Sequence, residues 1–126
     1  LGPRGGPGVA SASWVVAALQ GSGIGAAVAV LTDGQLSGLN HGFVVGQIGP
    51  EAAEGGLLAI VRDGDPIEVD LGNRAVNLLL PEAEIKVRFS TLTSFIPSER
   101  KGWLAIYQAL VTPLEQGAVL RPTGPD

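Results

Sequence analysis

Between residues 67 and 80 apolar and polar positions alternate. Ile67, Val69 and Leu71 are interleaved with Glu68 and Asp70, and Val76, Leu78 and Leu80 follow the turn-forming Gly72-Asn73-Arg74. A period of two puts one set of side chains on one face of a strand. The pattern therefore predicts a hairpin of two half-buried strands. Elsewhere the apolar positions run together. Residues 26–31, Phe43-Val44-Val45 with Ile48, and residues 57–61 are short and almost continuously apolar, which predicts three buried strands. The third ends at Arg62-Asp63-Gly64-Asp65, with the Asp-Gly signature of a tight turn. Ala118-Val119-Leu120 predicts a last short strand before a loose tail.

Helical spacing is confined to short segments. Ser11 or Ser13 is placed to cap a helix carrying Trp14, Val15, Val16, Ala18 and Leu19, and Gly21-Ser22-Gly23-Ile24-Gly25 ends it. Pro50 opens a helical turn with Glu51 and Glu54 near its positive end. Pro81-Glu82-Ala83-Glu84 starts another helix. Trp103, Leu104, Tyr107 and Leu110-Val111 give residues 102–111 an apolar helical face, which either packs on the domain's own body, the expected place of Trp103, or meets a partner or second copy. Residues 1–8 read as an entry loop and 91–98 as irregular chain. The sum is a single domain over residues 1–126, mainly β with peripheral short helices, in a compact barrel or sandwich.

Composition narrows the function. Charged residues make up only 16% of the chain, against roughly 25% in soluble domains. Part of the surface is therefore expected to be covered by another domain or subunit, or by a homo-oligomer contact. The net charge of −4 and the scattered lysines and arginines argue against nucleic acid as a partner. No apolar run is long enough to span a membrane and no signal peptide is visible, so no membrane partner and a cytoplasmic location are expected. The absence of methionine, even at position 1, fits a fragment or processed domain. There is no cysteine, so no disulfide, no thiol nucleophile and no cysteine-bound cluster can be built from these residues.

Several stretches could carry chemistry, each with a plainer alternative. Gly21 to Gly25 has a dinucleotide-loop look but follows a helix and precedes a strand, the wrong order for phosphate binding. Gly5-Gly6-Pro7-Gly8 could bring bare amides to an anion, or serve as a connector. Thr32-Asp33-Gly34-Gln35-Leu36-Ser37-Gly38 delivers polar groups where the apolar run 26–31 stops. Asp33 and Ser37 there are either a site or an Asx turn and a rim serine. His41 lies four residues from Ser37, and sequence neighbours seldom make a nucleophile–base pair. Glu51 and Glu54 could act as acid and base, or simply charge a helix start.

Taken in order, Gly5-Gly6-Pro7-Gly8, residues 21–25, Thr32-Asp33-Gly34-Gln35-Leu36-Ser37-Gly38, Gly49-Pro50-Glu51-Ala52-Ala53-Glu54-Gly55-Gly56, Asp63-Gly64-Asp65 with Asn73-Arg74, and Gly102-Trp103-Leu104-Ala105-Ile106-Tyr107 with Gly117-Ala118-Val119 resemble one known domain. It is the C-terminal domain of the dihydroxy-acid dehydratase / 6-phosphogluconate dehydratase family. The resemblance covers nearly the whole chain and is most specific at residues 50–56. It implies a swivelling β-barrel (β/β/α) domain that closes over an active site, as in aconitase-type enzymes. It implies removal of water from a small 2,3-dihydroxy or sugar acid to give a 2-keto acid. Ser37 matches the family's proton-abstracting serine. Gly5, Gly6, Gly8, Asp33, Gly34 and Gly38 would shape the substrate pocket. An iron–sulfur cluster and Mg²⁺ are implied for a complete family enzyme, on an N-terminal domain or subunit, with no cofactor held by this chain. Four positions depart from the family pattern. Gln35-Leu36 replaces Arg-Phe, Ser11 falls at or beside a metal-binding glutamate, and Gln47 replaces a histidine. Two readings follow: the substrate-closing domain of a hydro-lyase, or a degenerate stand-alone barrel that acts as a binding or interaction module.

Overall fold

The computed structural model describes residues 2–7, 12–97 and 99–121. In chain order the elements are α1 (Ala12–Gly21), β1 (Val30–Leu31), β2 (Val44–Val45), β3 (Ile67–Asp70), β4 (Ala75–Leu78), α2 (Glu82–Ser90) and α3 (Trp103–Leu110). Single turns of 3₁₀ helix lie at Ala52–Glu54, Leu57–Ala59 and Leu114–Gln116. Among the described residues no helix is long and apolar enough to cross a membrane.

The alternating segment forms the expected hairpin. β3 and β4 pair antiparallel, with Ile67 opposite Leu78 and Asp70 opposite Ala75. Asp70 fixes the turn: one carboxylate oxygen accepts the Asn73 N–H at 3.0 Å and the other accepts the Asn73 side-chain amide at 2.6 Å. Those two bonds hold the Asp70 carboxyl below its ordinary range. Across the strands, the Asn77 amide donates to the Glu68 carboxylate at 3.0 Å, the side-chain pairing that stabilises a two-stranded unit.

The first sheet is smaller than its sequence suggests. β1 and β2 pair in parallel, Val30 opposite Val44 and Leu31 opposite Val45. The ladder continues past the strands, because Ile48 N–H donates to Thr32 O at 3.1 Å and Gln47 N–H to Gly34 O at 3.0 Å. Residues 26–29 are not a buried strand. They are exposed, and the chain there begins as a turn closed by Ala27 N–H on Ile24 O. Residues 57–61 also differ from expectation: Leu57–Ala59 winds into a 3₁₀ turn with Ile60 N–H on Leu57 O. A short apolar run fits a buried strand and a buried turn of helix equally well, and here no neighbouring strand offers it a ladder. At the C-terminal end only Leu120 pairs, in a single bridge to Val111.

These elements make a small mixed α/β domain, and among the described residues the strands form two separate two-stranded sheets rather than a closed barrel. Strands of two and four residues cannot supply the continuous staggered ladder that closure needs. The buried apolar side chains named for this core are Ala12, Val16, Ile60 and Val111. Polar groups share the interior with them: Asp33, Glu51, Arg88, Gln108 and Thr112.

Arg88 ties α2 to the loop before the hairpin. Its guanidinium donates to both Asp65 oxygens at 2.5 and 2.9 Å, to Glu84 at 2.6 and 3.1 Å, and to the Ile60 carbonyl at 3.0 Å. A bidentate fork of this kind fixes orientation as well as distance. Arg88 and then the Arg62 N–H hold the Asp65 carboxyl below the usual carboxylate range. The same contacts raise the affinity of Arg88 for its proton. Helix α3 forms as the spacing predicts but faces the other way. Its buried residue is Gln108, and Trp103 is 68% exposed rather than packed on the domain. Trp14 on α1 is 80% exposed.

Candidate active site

The site is built on a carboxylate with almost no access to solvent. Glu51 precedes the 52–54 turn in extended backbone and makes no cap bond to it. Its side chain turns instead to the entry loop and is 1% exposed. One oxygen accepts the Arg4 N–H at 2.9 Å and the other the Gly5 N–H at 3.0 Å. The loop is closed on itself by Gly6 N–H on Gly2 O at 2.7 Å. Gly2 is there because a Cβ would sit 2.1 Å from a Glu51 oxygen. Gly56 is equally constrained, since a Cβ would lie 1.7 Å from the Pro50 carbonyl oxygen.

Three further contacts hold the same loop. The Gln108 amide donates to Arg4 O at 2.5 Å. The Arg4 guanidinium pairs with Glu54 at 2.5 Å and donates to Val111 O at 3.4 Å. Glu51 and Glu54 are therefore loop anchors rather than an acid–base pair or a simple charge at a helix start. The polar position in the otherwise apolar run of α3, Gln108, was the sequence signal for this contact. Nothing local marks Arg4, whose partners are 47 to 107 residues away.

Asp33 joins the second motif to the third. It is buried, and one of its oxygens accepts the Ala52 N–H at 2.8 Å, an amide at the open start of the 3₁₀ turn. The local turn is instead made by Thr32, whose hydroxyl accepts the Gly34 N–H at 2.9 Å. Asp33 and Gly5 thus come together around residues 51–54. Both line a groove of about 720 Å³ together with Phe89, Phe95 and Ile96.

Ser37 lies on a different part of the rim. It is exposed, past the end of β1 as expected. Its N–H donates to the Ser13 hydroxyl at 2.9 Å, and the Asn40 amide bridges that hydroxyl at 3.0 Å and the Ser37 carbonyl at 2.8 Å. The serine turn is thereby pinned to the first turn of α1. The Ser37 hydroxyl oxygen accepts the Leu39 N–H at 3.2 Å. Ser37 does not line the groove that holds Gly5 and Asp33. Gly34 carries the Gln47 contact, and Gly38 is exposed with open space where a Cβ would stand. Gly6 is half-buried within the entry loop. Gly8 and Ser11 lie outside the described residues.

A second cavity, of about 730 Å³, is lined by Gln35, Gln47 and Glu115. Gln47 and Ala118, both in its lining, are held in left-handed backbone at φ 55° and 50°, a conformation that costs a non-glycine residue about 1–3 kcal/mol.

No cysteine is present to bind a cluster. Among the described residues no three His, Asp or Glu side chains gather as a metal site. Glu51 spends both its oxygens, and Asp33 one, on backbone amides.

Comparison with known proteins places these motifs. The family model described as dihydroxy-acid/6-phosphogluconate dehydratase C-terminal matches residues 1–118. The chain is 48% identical over 118 residues to the dihydroxy-acid dehydratase of Methylococcus capsulatus, covering 94% of this chain and 21% of that protein. It is 46% identical over 119 residues to the dihydroxy-acid dehydratase of Roseiflexus sp. (strain RS-1), with the same coverage. It thus spans about a fifth of the length of the curated relatives it matches. The chain belongs to the dihydroxy-acid/6-phosphogluconate dehydratase family, as its C-terminal domain.

Proposed function

We propose that this chain is the substrate-closing domain of a hydro-lyase that converts a 2,3-dihydroxy acid or sugar acid into a 2-keto acid and water. Ser37 is the base. As the alkoxide, its oxygen takes the C2 proton and then passes it to the departing C3 hydroxide, so that water leaves, the alkoxide is restored and the resulting enol becomes the ketone. The observation that carries this reading is the setting of Ser37. It is exposed, its turn is pinned to α1, and the Leu39 N–H points at its oxygen. A hydrogen bond to the oxygen favours its anionic form. Gly5, Asp33, Gly34 and Gly38 would shape the surrounding rim, with the entry loop held in place by Glu51.

Departure of the C3 hydroxyl needs electrophilic help that this chain's donors do not supply, so turnover calls for a cluster-bearing domain or subunit. The competing reading is a stand-alone interaction module, and the exposed Trp14 and Trp103 favour a docking surface in either case.

The test is 2-keto acid formation. The 126-residue chain alone is expected to give none from 2,3-dihydroxyisovalerate or D-gluconate. A full-length protein carrying this domain is expected to turn over. Ser37→Ala in that protein should lower kcat by about 100-fold or more, with KM little changed. Full activity in the Ser37→Ala protein would remove the serine from the mechanism. No turnover by the intact protein would favour the interaction module.

A further inference from the structure

We propose that Ser13 of α1 is a positioning residue for the Ser37 base, acting through the Ser37 main chain and the Asn40 amide. The role rests on the function proposed above, which makes Ser37 the base.

Ser37 sits in a stretch with no ladder of its own. The parallel pairing holds the chain at Gly34, whose carbonyl accepts the Gln47 N–H, and again at Phe43, whose carbonyl accepts the Val30 N–H at 2.9 Å. Residues 35–42, between these points, belong to no strand or helix. Two side chains of α1 tie them down. Ser13 Oγ accepts the Ser37 N–H at 2.9 Å and the Asn40 side-chain amide at 3.0 Å. Two turns along the helix, the Gln20 amide donates to the His41 carbonyl at 3.0 Å. Positions 13, 16 and 20 fall on one face of a helix, and Val16 between the two polar residues is buried. One face of α1 is thus anchored in the core by Val16 and holds the serine loop by Ser13 and Gln20.

The Ser13 node grips Ser37 from both sides. A hydroxyl oxygen has two lone pairs, and two donors occupy those of Ser13. The Ser37 carbonyl accepts the Asn40 N–H at 3.1 Å and the Asn40 side-chain amide at 2.8 Å. With the N–H and the carbonyl both held, the hydroxyl keeps only its own rotation, and the Leu39 N–H at 3.2 Å directs that. Exposure decides what the node contributes. Ser37 is exposed, and Ser13 and Asn40 are half-buried. If Ser13 is truncated, water can take the freed N–H groups, so no buried donor is stranded. Alanine is also the better helix former. Water does not fix a direction, however, and a misplacement of about 1 Å can cost about 100-fold in rate. Stability and turnover should therefore separate at Ser13.

The experiment places Ser13→Ala and Ser13→Thr in this chain and in a full-length protein carrying it. In the chain, Ser13→Ala should speed hydrogen exchange at the Ser37 amide by about fivefold, the size of one ordinary hydrogen bond, and leave the urea midpoint nearly unchanged. In the full-length protein it should lower kcat by about 10–100-fold with KM little changed. Ser13→Thr keeps the hydroxyl and should recover most of that loss. Adding Asn40→Ala to Ser13→Ala should slow turnover by much less than the product of the two single effects, because both act on one node. Wild-type kcat in Ser13→Ala beside an inactive Ser37→Ala would overturn the positioning role alone. So would an unchanged Ser37 exchange rate, a kcat loss that Ser13→Thr leaves in place, or independent effects of Ser13→Ala and Asn40→Ala. Full activity in Ser37→Ala, or an intact protein without turnover, would instead remove the proposed base and this role with it.

Discussion

Replacing Glu51 should do more damage than replacing any surface carboxylate. The side chain is buried and each oxygen accepts one backbone N–H, from Arg4 and Gly5. Truncation to alanine strands two buried donors, at about 1–3 kcal/mol each. The expected loss is therefore about 2–6 kcal/mol, against a total of roughly 5–15 kcal/mol for an ordinary domain. Glu51→Gln separates charge from shape. Glutamine has one acceptor oxygen, and its NH₂ would face the second N–H donor. It should lose about 1–3 kcal/mol although its volume is the same. Urea denaturation gives the loss as a shift in midpoint at constant slope. Hydrogen exchange should show protection falling at the Arg4 and Gly5 amides. A Glu51→Gln midpoint matching the wild type would refute the carboxylate clamp.

Other consequences are equally direct. Gly56→Ala should destabilise strongly, because its Cβ would meet the Pro50 carbonyl at 1.7 Å, whereas Gly21→Ala, with nothing within 4 Å, should be neutral or stabilising in the same denaturation assay. Asp65 has a folded pKa below its ordinary 3.8, so the unfolded chain binds its proton first. The stability it contributes is present above about pH 3.8 and is lost as pH falls through the lower folded value. The wild-type advantage over Asp65→Asn should accordingly shrink below that pH, and a constant gap between neutral pH and pH 2 would contradict the Arg88 bond. The chain is expected to self-associate at micromolar concentration in sedimentation, burying on the order of 1,000 Å² or more in total, and both tryptophans are exposed, so their emission should shift to the blue as it does. A monomer with unshifted emission would count against a covered apolar face.

What the sequence made legible was local, and what it hid was long-range. The β3–β4 hairpin follows from a period of two and a turn whose key bond spans three residues, Asp70 to Asn73. The stop after α1 follows from glycines inside the same ten residues. By contrast, residues 26–31 and 57–61 carry the composition of buried strands, but strand identity depends on a neighbour to pair with, and composition does not say whether one is present. The spacing of α3 shows an apolar face but not which way it turns, and Trp103, expected inward, is exposed. Gln108 turned inward because the Arg4 carbonyl, 104 residues earlier, needed a donor. Glu51 was visible as part of a motif, yet its role depends on two amides 46 and 47 residues away. The same division explains the site. Ser37, Asp33 and the entry glycines could be named from their motifs. That Asp33 meets the entry loop while Ser37 is held apart by Ser13 could not, because it is set by buried side chains, Asp33, Glu51 and Gln108, that each bond to main chain of another segment. Polar side chains bonded to main chain are therefore doing in this interior part of what apolar packing does in larger domains. Such bonds specify position more sharply than apolar contacts, since a misplaced partner leaves a buried group unsatisfied. An interior of that kind holds the entry loop in a fixed place against residues 51–54, and the apolar residues it does not use, Trp14 and Trp103 among them, are left on the outside.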